Sequence, residues 1–423
     1  MFRSLAGRVL IALVLGLGAG AACGALDNQT LTNVAGAVEA IGGLWLNLLR
    51  MTIVPLVFCL LVTGIVSVAD AAATGKLATR AILLFSVGML IAAIYGTLGS
   101  QGMLALWPVD PTAAAALRAG AGSVDLAQVP AASLIDWLKA IAPSNPIQAA
   151  AEGAMLPLVV FGMFFGLAAT RLTPVRKAVV LDLFGAVADT MIVIVRWVLW
   201  AAPLGVFALS LGVGLRAGLG AAGAIVQYVI IVSLVTASIT ILPYVAVGLK
   251  RGLSLGAFAR ATAPVQVLAF STQSSLACLP AMLERAQDDL RIPPRVTGLV
   301  LPLAVAVFRL TGPVANLSVA YFCAHIYGVH PGLPQMFGAV AVAWTISVSS
   351  VGLPGQVSFL ASMVPICVTL GVPIDLLPIL LAVEVAPDIF RTIGNVTGDM
   401  AAVAVLHRPG EEADIVDPGS APD

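Results

Sequence analysis

Long apolar runs govern what this chain can fold into. Segments of membrane-spanning length lie near residues 8–26, 41–69, 79–107, 143–170, 178–213, 219–248, 296–325 and 374–406. Hydrophobic residues make up 60% of the 423 positions and charged residues only 10%, more apolar surface than a soluble core of that length hides, so lipid is part of the solvent. The first run, MFRSLAGRVLIALVLGLGAGAACGA, has the Arg3, Arg8, apolar core and small terminal residues of a signal peptide. Because spans follow it throughout, it is expected to stay as the first transmembrane helix. With the N-terminus cytoplasmic, Lys76, Arg80, Arg171, Arg176, Lys177, Lys250, Arg251, Arg260, Arg291, Arg295 and Arg408 share one side, and Arg118, Lys139 and Arg216 the other. The positive-inside rule then sets both termini in the cytoplasm of a multi-pass protein of a bacterial inner membrane. The acidic, Pro- and Gly-containing stretch over 407–423 is expected to be a disordered tail.

Several function classes drop out. A formal net charge of zero offers nothing to nucleic acid. Cys23, Cys59, Cys278, Cys323 and Cys367 are odd in number, lack a CxxC pair and sit in apolar surroundings, which argues against disulfides and metal. His325, His330 and His407 lack metal-site spacing, there is no HExxH, and no histidine stands near the serine tips to serve as a base. Neither an enzyme nor a resident cofactor is expected.

Two apolar segments, 257–287 and 334–372, carry polar and Gly- or Pro-rich breakers at their middles, STQSSLACLP and SVSSVGLPGQVS. A helix opened at membrane depth survives only inside protein or against a watery cavity, so both are expected to be re-entrant hairpins. The fold expected is an all-α membrane protein of eight transmembrane helices plus two hairpins; ten full spans would keep the same charge bias. Interrupted segments of this kind are where a transporter builds its midplane site.

The last span, LLAVEVAPDIFRTIGNVTGDMAAVAVL (380–406), carries Glu384, Asp388, Arg391, Thr392, Asn395, Thr397 and Asp399. All but Thr397 recur at three or four residues and share one helical face, with a reach of about 16 Å from Asp388 to Asp399. Each ionisable group at that depth costs roughly 2.5 kcal/mol or more, so the stripe should face partners or a solute. A ladder of ion pairs that only fixes packing is the alternative, but packing does not need five polar positions in register with two broken hairpins. Asp388 suits an ammonium group and the Arg391 guanidinium a carboxylate, which makes an acidic amino acid the natural solute. A channel would not need that cradle, and a sensor would bind the solute without flux.

These residues resemble the dicarboxylate/amino acid:cation symporter family, which includes the glutamate and aspartate transporters. NLLRMTIVPLVFCLLVTGI (47–65), PSNPIQAAAEGAMLPLVVFGMFFGLA (143–168) and AAPLGVFAL (201–209) are similar to its second, fourth and fifth helices. QSSLACLP (273–280) and VGLPGQVS (351–358) are similar to its hairpin tips, and DIFRTIGNVTGD (388–399) to its last-helix signature. The resemblance implies a homotrimer whose transport core slides past a fixed scaffold, an elevator. It implies scaffold helices over 1–75, a third helix with the core at 76–107, scaffold helices and a loop over 108–248, and the core proper over 249–406. By position, Asp388 meets the substrate amine and Arg391 its side-chain carboxylate; Thr392, Asn395, Gln273, Ser274 and Ser275 join them, with Leu353, Pro354 and Gly355 as the lid. Asn395 and Asp399 match sodium ligands. The first tip departs in having Leu276 after two serines, and the arginine that members carry before the serines or beside the last-helix aspartate is replaced by Gln273 or Ile389.

The seventh helix departs further. Counted without a gap from VLPL (300–303), the family's Asn-Met-Asp-Gly-Thr motif falls on Phe308, Arg309, Leu310, Thr311 and Gly312. Two oxygen ligands of sodium are lost and a permanent cation is gained. A hard cation needs about six oxygens, so sodium coupling is expected to be weak or absent, leaving H⁺ rather than Na⁺ as the coupling ion, or exchange. Arg309 is then either a built-in counter-ion of Asp399 or Asp388, or a ligand of the solute's carboxylate. The first is preferred, since Asp399 unpaired at that depth is the costlier loss. Snorkelling is disfavoured by its position at mid-span. Glu384, one turn before Asp388, is either the carboxylate that carries a proton or a packing group that never titrates.

Overall fold

Every described element is an α-helix, as lipid requires: away from water the backbone must pair its own N–H and C=O groups within the segment. The computed structural model describes residues 5–26, 28–73, 75–121, 142–217, 220–250, 253–349 and 355–407. In order the helices are α1 (Leu5–Ala25), α2 (Gln29–Ala72), α3 (Lys76–Leu106), α4 (Pro111–Ala121), α5 (Pro146–Ala151), α6 (Met155–Ala169), α7 (Pro174–Trp200), α8 (Ala202–Ala217), α9 (Gly220–Ser238), α10 (Ile241–Gly248), α11 (Leu255–Thr272), α12 (Ser275–Asp288), α13 (Pro294–Val307), α14 (Thr311–Tyr327), α15 (Leu333–Ser349), α16 (Gly355–Leu370), α17 (Leu377–Val383) and α18 (Val385–Leu406).

Among the described residues seven stretches are long and apolar enough to cross a membrane: Gly7–Ala25, Gln29–Ala72, Lys76–Leu106, Pro174–Trp200, Gly220–Gly248, Pro294–Tyr327 and Val385–Leu406. Eight were expected, and the difference lies in the run 143–170. There Asn145 caps the short α5, and the chain turns at Gly153 with φ +69° before the 15-residue α6 begins. Glycine takes that left-handed backbone without strain, so the turn shortens the apolar helix. The run 178–213 is also divided, at Ala201, where Pro203 sits in the first turn of the new helix α8. Proline lacks the N–H that an unbroken helix would need and is tolerated at a helix start.

The first hairpin folds as expected from its breaker. In the first, α11 ends at Thr272, Gln273 takes a left-handed conformation (φ 50°), and Ser274 caps α12 by accepting from the Ala277 N–H at 3.3 Å. In the second, α15 packs against α16, and the tip with Leu353 and Pro354 lies outside the described residues.

The helices pack in two groups. In one, α1 lies along α8, and α2 packs on α6, α7 and α8. In the other, α18 is surrounded by α9, α10, α11, α12, α13, α14 and α3, while α14 also packs on α3 and α9. Arg50 of α2 bonds Asp375, just before α17, at 2.7 Å. Many large apolar side chains remain outward, among them Leu83, Leu98, Phe164, Val175 and Trp197, where a bilayer is their solvent.

Candidate functional site

The seventh apolar run is not one continuous helix. At Phe308 the backbone leaves the helix (φ −87°, ψ 82°), and α14 restarts at Thr311. A break at this depth frees N–H groups that something must accept. Asn395 of α18 does so: its Oδ1 accepts from the Thr311 N–H at 3.0 Å and lies 2.8 Å from Thr311 Oγ1, which also reaches the Arg391 carbonyl at 2.8 Å. Thr311 thus joins the broken span to the polar stripe.

Close approach of α14 to α18 depends on Gly394. A Cβ there would stand 2.3 Å from Thr311 Cγ2 and 3.0 Å from Thr240 Oγ1. Gly394→Ala is expected to push the helices apart, at a cost of roughly 1–3 kcal/mol for overpacking. A thermal melt of the purified protein checks this; an unchanged midpoint would contradict it.

The stripe faces inward. Glu384, Thr392 and Asn395 are buried and Asp399 is 0% exposed. Arg391 and Asp388 retain more access, with 13% and 25% of their side-chain surface exposed. Arg391 Nη2 donates to Glu384 Oε1 at 2.6 Å, Nη1 lies 3.8 Å from Asp388 Oδ1, and the buried Nε has no hydrogen-bond partner among the described residues. Tyr228 of α9 donates its hydroxyl to Glu384 Oε2 at 2.7 Å. Thr392 Oγ1 turns back on the Asp388 carbonyl at 3.0 Å. Thr397, off the stripe, is also buried, and its hydroxyl accepts from Gln266 Nε2 of α11 at 2.9 Å. Both faces of α18 are therefore enclosed, where the residue pattern pointed to one.

Asp399 differs from the rest. Neither carboxylate oxygen has a hydrogen-bond partner among the described residues. Arg309 is the cation that acts on it electrostatically, as it also does on Asp388. No ion pair within 4 Å links Arg309 to either among the described residues, so the interaction is through space. Phe308 and Leu310, on either side, are buried. The Phe308 ring stacks on Phe85 of α3 with centroids 4.7 Å apart, and the Phe308 and Leu310 side chains pack against Gly398. Neither side chain carries an oxygen, so positions 308 and 310 offer a hard cation no side-chain ligand.

At the first hairpin tip, Gln273 is exposed, Ser274 has its hydroxyl engaged in capping, and Ser275 is half-buried as the first residue of α12. Gly355 opens α16. Tyr228 and Gln266 were not anticipated, although each was visible as a lone polar group in an apolar run. A tyrosine, a glutamine and a proline-punctuated span do not announce that they meet the last helix; only packing brings them there.

An all-helical bundle with an apolar exterior, enclosing a charged cradle where a broken span meets a polar helix, defines an integral membrane protein built for solute transport. The chain belongs to the sodium:dicarboxylate symporter family, whose model matches residues 5–408. It is 27% identical over 406 residues, 95% of this chain and 92% of the relative, to the proton/glutamate-aspartate symporter of Escherichia coli (strain K12). It is 29% identical over 380 residues, 88% of this chain and 86% of the relative, to the proton/sodium-glutamate symport protein of Bacillus subtilis (strain 168). It is 27% identical over 405 residues, 93% and 87%, to the C4-dicarboxylate transport protein of Azorhizobium caulinodans. The protein is a membrane transporter, not an enzyme.

Proposed function

We propose that the chain is a secondary carrier for a small dicarboxylic solute, an acidic amino acid or a C4-dicarboxylate, energised by protons or by exchange rather than by sodium. The observation that carries this is the pair Asp388 and Arg391, set 3.8 Å apart at the break of α13 and α14 and still partly accessible. A carboxylate able to take an ammonium group beside a guanidinium able to take a carboxylate matches an amino acid with an acidic side chain. Relatives named for glutamate, aspartate and C4-dicarboxylates support the same solute class.

Replacement of two oxygen positions by Phe308 and Leu310, with Arg309 between them, supports the loss of sodium coupling. The guanidinium supplies a fixed positive charge near Asp399, a carboxylate the family resemblance assigns to sodium. Tight packing of α9 on α3, α14 and α18 supports a moving core that includes α9 as well as α3 and residues 249–406; α1, α2, α6, α7 and α8 then form the scaffold of an elevator in a homotrimer, in a bacterial inner membrane.

In proteoliposomes, an imposed inward proton gradient or internal solute is expected to drive uptake of labelled aspartate, glutamate or succinate without sodium. Replacing sodium by choline should leave the initial rate within about twofold, since no binding energy depends on it. Uptake that requires a sodium gradient would overturn the coupling, and failure of all three solutes would overturn the solute class.

A further inference from the structure

Glu384 has each of its two carboxylate oxygens held by a different helix. Oε1 accepts from Arg391 Nη2 at 2.6 Å, and Oε2 from the Tyr228 hydroxyl at 2.7 Å. Tyr228 is fully buried at mid-length in α9, its ring edge-on to Phe322 of α14 with centroids 5.2 Å apart. The phenol is thereby fixed in place, and among the described residues its hydroxyl bonds Glu384 alone. The titratable and charged groups around this carboxylate are Tyr228 from α9, Arg391 and Asp388 from α18, and Cys323 of α14 beside the phenol, itself next to Cys367 of α16.

Arg391 is thus already neutralised by Glu384. A solute carboxylate that takes the same guanidinium brings a second negative charge beside Glu384, in surroundings where like charges repel far more than in water. A proton on Glu384 removes the conflict. We propose that Glu384 and the solute's carboxylate compete for Arg391, so that a proton must occupy Glu384 for the solute to bind tightly, and that Tyr228 is the positioning residue that sets this balance. The inference rests on the proposal that the solute carries a carboxylate.

The step balances simply. A proton from the aqueous phase adds to the Glu384 carboxylate, Arg391 keeps its charge, and the guanidinium passes from Glu384 to the incoming carboxylate. Tyr228 suits the post because a phenol both donates and accepts, whereas a guanidinium only donates. It donates to the ionised carboxylate and can turn to accept from the acid, so the protonated form need not hold an unpaired buried O–H. The charge-assisted bond to the ionised form is the stronger of the two. Removing the hydroxyl therefore favours the solute-ready state.

The test is equilibrium binding of labelled aspartate and succinate to the purified full-length protein across pH, with Glu384→Gln and Tyr228→Phe beside the wild type. In the wild type the apparent Kd is expected to rise by up to about tenfold per pH unit on the alkaline side, the limit for one linked proton. Glu384→Gln should lose that slope and keep its affinity at high pH. Tyr228→Phe should move the midpoint of the pH profile to higher pH with little change in the tightest Kd, whereas a purely structural role would weaken binding equally at every pH. A wild-type slope in Glu384→Gln, or an unmoved midpoint in Tyr228→Phe, overturns the inference. Infrared pH-difference spectra give a readout free of solute: a protonated-carboxyl band absent from Glu384→Gln and displaced in Tyr228→Phe. That band without binding of either probe sinks the solute assignment alone; its absence sinks the proton site.

Discussion

Arg391→Ala is expected to abolish concentrative uptake of a dicarboxylic solute. Truncating one partner of a buried, hydrogen-bonded charge pair costs roughly 2–5 kcal/mol, about thirtyfold in affinity at the lower end. Part of that cost comes from Glu384, which would be left buried with Tyr228 as its remaining partner. The double variant Arg391→Ala with Glu384→Gln removes the stranded charge. It should recover thermal stability without recovering binding, separating damage to the fold from loss of the solute's ligand. Arg391→Lys should also bind poorly, because a point charge cannot form two parallel bonds to a carboxylate. Asp388→Asn tests the other half of the cradle: aspartate binding should fall while succinate, which has no amine, is held as well as before. Full binding by Arg391→Ala would dismiss the assignment.

The second large effect concerns Arg309. Asp399 is wholly enclosed, both its oxygens lack hydrogen-bond partners among the described residues, and Arg309 is the cation acting on it. Arg309→Met leaves that carboxylate uncompensated. The loss is bounded by the Coulomb energy of a pair at about 4 Å in an effective dielectric near 20, about 4 kcal/mol. A fall in the unfolding midpoint is expected, together with its recovery in Arg309→Met with Asp399→Asn, where no charge remains to compensate. If Arg309 were instead a ligand of the solute, Arg309→Met would lose affinity, keep its unliganded stability and gain nothing from Asp399→Asn. A double-mutant cycle distinguishes the two, because coupled neighbours deviate from additivity by 0.5 kcal/mol or more in general (roughly 0.5–3).

Much of this was legible before any coordinates. The apolar runs fixed the helical class, and the breakers in STQSSLACLP foretold the turn at Gln273 and Ser274. The three- and four-residue spacing placed Glu384, Asp388, Arg391, Asn395 and Asp399 on one face. The break at Phe308 was not anticipated, although Gly312 and Pro313 follow it: Pro313 offers no N–H to the turn before it, and Asn395, 84 residues away, accepts the freed Thr311 N–H. Nor was the turn at Gly153 anticipated, since an apolar count averages over a single left-handed residue.

The sequence by itself determined that the chain lies in lipid, that its last helix carries charge inward and that a permanent cation stands at position 309. Those follow from composition and period, which are local properties of the chain. Only the tertiary structure decided which charges meet: that Arg391 is held by Glu384 and not chiefly by Asp388, that Tyr228 supplies the second donor, and that Asp399, without a hydrogen-bond partner among the described residues, has Arg309 as the cation acting on it. The reason is physical. Coulomb and hydrogen-bond energies depend on distances between helices far apart in sequence, and close packing sets those distances.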